Sequence, residues 1–351
     1  MSGRAIAMSG FSLGTALLLA LTGTTAGAAP HAPGAERVST AADGTQGDGA
    51  SGTATTTPNG RFVAFRSSAT NLVPEGISHP GTYAYIRDLR TGGTTKIEKA
   101  LSTPRLSADG RWATYTDWGS RNINVFLSDL STGTRTRIGA PDGRDSSFAP
   151  AISANGRYIA YRWSGHPEFP TRIDLYDRVT GTRETVSAGP PDSTRDMDKP
   201  SVSGDGRRVA YQDTGSGDVW VADRTTGAQT EADDGTPSTV VQLSANGRVL
   251  AMDSADGSYV RDLRTGRVQH FSGVRVLAVS PDGRRLLLRD EQSNLTLRNL
   301  HGGRETPVGH GSATAYSLSD RGRSLVYSTQ DADVVPGDTN GVSDVFQWRS
   351  R

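Results

Sequence analysis

Five aspartates recur at one place in a repeating pattern: Asp88, Asp129, Asp177, Asp223 and Asp262, with Asn299 in the sixth position and Arg349 in the seventh. As chemistry, such a series suggests a ring of carboxylates. As local structure, each residue stands between a strand and a turn, where an Asp side chain accepts hydrogen bonds from backbone N–H groups two or three residues on. Asn can do the same, and Arg349 breaks the ring, so the pattern points to turn chemistry. Seven arginines form an equally regular series after glycines: Arg61, Arg111, Arg157, Arg207, Arg248, Arg284 and Arg323. Regularity argues for a structural or solvated role, because a functional site breaks the symmetry of a repeat.

The irregular residues lie in the longest connections, 67–82, 140–149, 163–172, 188–199 and 329–343. Variable loops on a rigid scaffold are where binding residues concentrate. Trp118, Arg121, Trp163, His166, Glu168, Arg195 and Asp196 are the candidate ligand-binding set, since aromatics mixed with Arg and carboxylates make interface anchors. His166 and Glu168 have the types of an acid–base pair, but in a polar loop they read as a solvated pair. The other histidines show no metal-ligand spacing and no G-x-S-x-G elbow occurs, so no residue is assigned a catalytic role. One loop has metal character. Asp338, Asn340 and Asp344 space oxygen ligands at i, i+2 and i+6, half of what Ca²⁺ needs, and the same residues are ordinary turn formers. The cofactor expectation is none, with Ca²⁺ at this loop as the alternative.

Composition narrows the classes. Lys+Arg is 38 and Asp+Glu is 37, which gives no electrostatic footprint for nucleic acid. With no cysteine, disulfides, thiolate metal sites and a lipoprotein anchor are excluded. Arg4, the apolar run 11–21 and the small residues Ala26-Gly27-Ala28 read as a cleavable Sec-type signal peptide over 1–28, too short in its apolar part to span a bilayer. Residues 29–35 read as a flexible N-terminus and 36–351 as one domain.

What positions these residues is a repeat. Seven segments share a small polar pair, Gly-Arg and a hydrophobic stretch, among them LSADGRWATY (106–115), ISANGRYIAY (152–161) and VSPDGRRLLL (279–288). The glycines are Gly60, Gly110, Gly156, Gly206, Gly247, Gly283 and Gly322, spaced 50, 46, 50, 41, 36 and 39 residues apart, the period of a propeller blade. Asn-Gly and Asp-Gly suit a tight primed hairpin turn. The apolar run after each turn reads as a buried strand. A third strand ends at the recurring aspartate, and a second turn follows, marked by Gly92, Gly133, Gly181, Gly227, Gly266 and Gly302, before a fourth strand. The predicted fold is an all-β, seven-bladed propeller with four antiparallel strands per blade. The seventh repeat stops after its third strand, while residues 36–39 (ERVS) resemble the fourth strand of the third repeat (ETVS, 184–187), so the N-terminal strand is predicted to complete the last blade.

The S-x-D-G-R segments, Ser280-Pro281-Asp282-Gly283-Arg284 above all, resemble the WD40-like Pro-Asp repeat of TolB-type propellers over 36–351. The resemblance implies the fold. It leaves function open, because such propellers serve in envelope complexes, beside peptidases or in unknown roles. TolB carries an extra N-terminal domain for which this chain shows no room. The resulting expectation is an exported, monomeric binding scaffold for an extracellular or envelope protein, glycan or small ligand, with no nucleic acid partner and no membrane span. The ligand is expected on the loop-rich face around the central channel. The alternatives are a lyase or hydrolase of an extracellular polymer, with its site at the channel mouth, and a purely structural envelope protein.

Overall fold

Residues 34–77, 79–119, 121–140, 144–165, 170–187 and 196–350 are described by a computed structural model. The repeat folds into seven sheets, each an antiparallel up-and-down unit. The third blade shows the pattern: Ser146–Ile152 is innermost, Tyr158–Ser164 and Arg172–Asp177 follow, and Arg183–Thr185 is outermost. Each second strand is covered on both faces by neighbouring blades, so it reads as an apolar run. Phe65, Tyr115, Tyr161, Tyr211 and Tyr327, five residues after the repeat glycine, are at most 1% exposed. Burying such a side chain is worth about 1.5–3 kcal/mol, which is why the repeat preserves a large residue there. The outermost strand of the third blade is exposed throughout and is polar (RET).

The hairpin turns differ from the primed form. In the third blade the N–H of Gly156 donates to the carbonyl of Ser153 (2.9 Å), and that of Ser153 to the carbonyl of Tyr158 (2.9 Å). Four residues separate Ser153 from Tyr158 and only Gly156 (φ 69°) is left-handed, whereas a primed turn joins its strands through two residues. A local network sets the longer loop: Ser153 Oγ donates to Asn155 Oδ1 (2.6 Å), which also accepts the Arg157 N–H (3.0 Å). The Ser and the Asp or Asn of the motif therefore build the turn. In the sixth blade the left-handed glycine of the second turn is Gly303, whose N–H reaches the Asn299 carbonyl (2.9 Å), and not Gly302.

The ring closes as the sequence implied. Ala35–Arg37 pairs antiparallel with Asp344–Arg349, with Arg37 opposite Phe346, and the Val38 N–H extends the pairing to the Val345 carbonyl (2.7 Å). This strand is the outermost of the seventh blade. The innermost place there is filled by residues 312–318 through two isolated bridges, Ser312 to Ser328 and Leu318 to Leu325. Pro104, Pro150 and Pro200 lie in or beside inner strands, whose channel-facing edge has no partner strand and so loses little by lacking an N–H. Among the described residues one 3₁₀ turn (Asp320–Gly322) is the only helical element, and no helix is long and apolar enough to cross a membrane.

Candidate functional site

Strand order sorts the candidates onto faces. The repeat turns and the aspartate turns share one rim, and the connections that carry the irregular residues share the other. Trp118 ends the second strand of the second blade (Trp112–Trp118), with Arg121 exposed in the bend that follows. Trp163 lies one residue from the end of the second strand of the third blade. Trp118 is 59% exposed, the only exposed Phe, Tyr or Trp among the described residues. Beneath it Asp117 is buried. Burial raises its carboxyl, opposed by its ion pair with Arg135, whose guanidinium lies 3.6 Å from the Phe126 ring centre.

Trp163 forms the wall of a cleft of about 370 Å³ shared with Asp145, Tyr161, Arg172, Asp174 and Arg183. The Arg172 guanidinium stacks 3.6 Å from the Trp163 ring centre, and its Nε donates to Asp174 Oδ1 (2.8 Å). Thr185 Oγ1 donates to the same oxygen (2.8 Å), so the cation is fixed over the indole. Asp196 serves a neighbouring junction: its Oδ1 accepts the Thr171 N–H (2.9 Å) and its carbonyl the Thr214 N–H (2.8 Å). His166, Glu168 and Arg195 lie outside the described residues.

Asp338 and Asp344 do come together, and a cation lies between them. Arg37 reaches Asp338 Oδ2 and Asp344 Oδ2, each at 3.2 Å, with both acids almost wholly buried. Gln46 Nε2 donates to Asp338 Oδ1 and Asp344 Oδ2 (2.8 Å each), and Ser39 Oγ donates to Asp344 Oδ1 (2.6 Å). Asn340 turns its Nδ2 to the Gly47 carbonyl (2.8 Å). Asn340 Nδ2 also reaches Asp344 Oδ2 (3.3 Å), whereas Arg37, Ser39, Gln46 and Gly47 come from the N-terminal segment. A second acidic group was not singled out in the sequence: Asp218, Glu231 and Asp233 bring carboxylate oxygens within 4.8 Å of one another. Asp233 already accepts the Val219 and Gly235 N–H groups (2.7 and 2.9 Å).

The channel holds what sequence reasoning missed. Tyr316, left-handed at φ 69°, crosses from the seventh blade so that its hydroxyl meets Ser201 Oγ of the fourth (2.8 Å). Its N–H donates to Gln242 Oε1 of the fifth blade (2.9 Å). Arg105 of the second blade stacks on the Tyr316 ring (4.3 Å) and donates to the Ala315 carbonyl (2.5 Å). Burial lowers the pKa of Arg105. Arg105 lines a cavity of about 50 Å³ on the axis, at the repeat-turn end, with Thr55, Leu106, Val202 and Leu243. Polar groups from several blades thus converge on the axis, away from the loop-rich mouth. A left-handed Tyr on an irregular strand has no sequence signature.

No protein-family model matches the chain, and no curated protein matches it. Among solved structures it is similar to an oligogalacturonate lyase in complex with manganese, at 12% identity over 90% of this chain and 93% of that one, TM-score 0.65. It is also similar to the β-propeller domain of the Trilobed protease from Pyrococcus furiosus, at 14% identity over 86% and 94%, TM-score 0.59. TolB from Acinetobacter baumannii aligns at 17% identity over 88% and 81%, but its TM-score of 0.47 carries no argument. At these identities the likeness establishes the propeller fold alone.

Proposed function

We propose that this chain is an exported binding propeller that captures a glycan on its loop-rich face, beside the second and third blades. The observation that carries the reading is Trp118, the one Phe, Tyr or Trp side chain among the described residues that is left largely open to solvent. Tryptophan is among the residues that most often anchor a binding surface. Trp163 on the adjacent blade supports the reading, because its cleft combines an aromatic wall with fixed Arg and Asp groups, the mixture that recognises a polar ring. Arg121 and Asp196, with His166, Glu168 and Arg195, complete the proposed surface. Export rests on the segment 1–28. Chain collected from culture medium is expected to begin at Ala29.

The test is a glycan array probed with wild type, Trp118→Ala and Trp163→Ala. Each substitution is expected to weaken binding at least tenfold, as truncated aromatic anchors do, and to leave melting close to wild type. Arg157→Ala, on the opposite rim, is expected to bind normally. Equal binding by all four proteins sinks the assignment. Cleavage of a bound glycan by the wild type would move the reading to a polymer-degrading enzyme.

A further inference from the structure

The regular arginines and aspartates turn out to be partners. In the first five blades the repeat-turn arginine ion-pairs with the aspartate of its own blade: Arg61–Asp88 at 2.6 Å, Arg111–Asp129 and Arg157–Asp177 at 2.7 Å, Arg207–Asp223 at 2.9 Å and Arg248–Asp262 at 3.0 Å. Strand register identifies the same place in the last two blades. Asp177 stands opposite Tyr158; correspondingly Asn299 stands opposite Arg285 and Arg349 opposite Ser324. Both blades keep the arginine and have lost the carboxylate. Arg284 is left 69% exposed, its nearest acid being Asp282 of its own turn at 3.8 Å. Arg321, two residues before the seventh repeat arginine Arg323, is 61% exposed, and its nearest acid among the described residues is Asp320, at 4.0 Å.

Arg284, Asn299 and Arg321 meet in one cleft of about 460 Å³, lined also by Asp282, Arg285 and His301. Three guanidinium groups face one carboxylate, an excess of two positive charges (3 − 1) before His301 is counted. Asp282 is itself engaged, accepting Ser280 Oγ (2.7 Å) and the Arg284 N–H (3.2 Å) through Oδ1. We infer that this cleft, where the Arg–Asp ladder is interrupted on the rim opposite the loop face, binds an acidic polysaccharide through its carboxylate, sulfate or phosphate groups. The guanidinium fork matches such oxyanions two bonds at a time. The volume suits a sugar-sized ligand. A protein partner is disfavoured because the lining contains no aromatic or aliphatic anchor.

The experiment exploits the interruption. Binding of heparin (sulfate), hyaluronan (carboxylate) and polyglycerol phosphate is measured by calorimetry at low salt, with oligoglutamate as the peptide comparison. Wild type is expected to bind at least one of the three polymers, more weakly as salt rises. Asn299→Asp restores the missing carboxylate while keeping every arginine, and it is expected to weaken binding about tenfold. Arg284→Ala is expected to do the same, whereas Arg157→Ala leaves this binding unchanged. The polymer bound most tightly identifies the oxyanion. The proposal is overturned by no binding, by tighter binding of oligoglutamate, by an unchanged Asn299→Asp protein, or by equal loss in Arg157→Ala. The loop-face reading stands or falls separately, on the tryptophans.

Discussion

At the scale of the residue, the recurring aspartates do two things. Each accepts backbone N–H groups of its turn, as Asp177 does from Val179 (2.9 Å), which their position before a turn made legible. Each also holds an arginine 14 to 27 residues away in sequence, and nothing local announces that pairing. The Arg157 guanidinium and the turn N–H groups hold the Asp177 carboxyl down at about 2, with burial opposing them. Asp88 and Asp129 are held lower still, for the same first reason. A carboxyl depressed in the folded state contributes stability above its unfolded value near 4 and loses it as pH falls through the folded value. Melting temperature is therefore expected to decline between about pH 4 and 2, and the Asp177→Asn protein to decline less over that interval. Near neutral pH that substitution is expected to cost only about 0.2–1 kcal/mol, since Asn299 shows that Asn still caps the turn. Identical acid profiles for the two proteins would contradict the pairing account.

At the scale of the element, closure was the most legible feature, because a missing fourth strand at one end and a spare one at the other are both visible in the repeat. Its chemistry was not. Asp338, Asn340 and Asp344 looked like half of an ion site, and the folded chain places Arg37 and Gln46, about three hundred residues earlier, against their oxygens. A Ca²⁺ ion and Arg37 would compete for the same two carboxylates. We propose that the group acts as the clasp of the ring. Removing one partner of a buried ion pair strands the other charge, so Arg37→Ala is expected to lose about 3–5 kcal/mol in urea unfolding. A chelator is expected to leave wild-type melting unchanged. Wild-type melting that falls on chelation would show instead that a metal holds this loop.

At the scale of the whole molecule, seven repeats were countable because glycine turns and buried aromatic strands are imposed locally in each blade. The axis was not readable, because Tyr316, Arg105, Ser201 and Gln242 become neighbours only once the ring has closed. The two faces then carry different assignments, an aromatic loop face and an interrupted ionic rim. The central claim is that the loop face is the working surface. Hydrogen–deuterium exchange of the mature chain, with and without the glycan bound most tightly on the array, tests it most directly. Slowed exchange is expected in peptides covering Trp118–Asn124 and Trp163–Arg172, with the turns at Asn155–Arg157 and Asp177–Gly181 unchanged. Slowed exchange confined to those turns, with the tryptophan peptides unaffected, would contradict the claim.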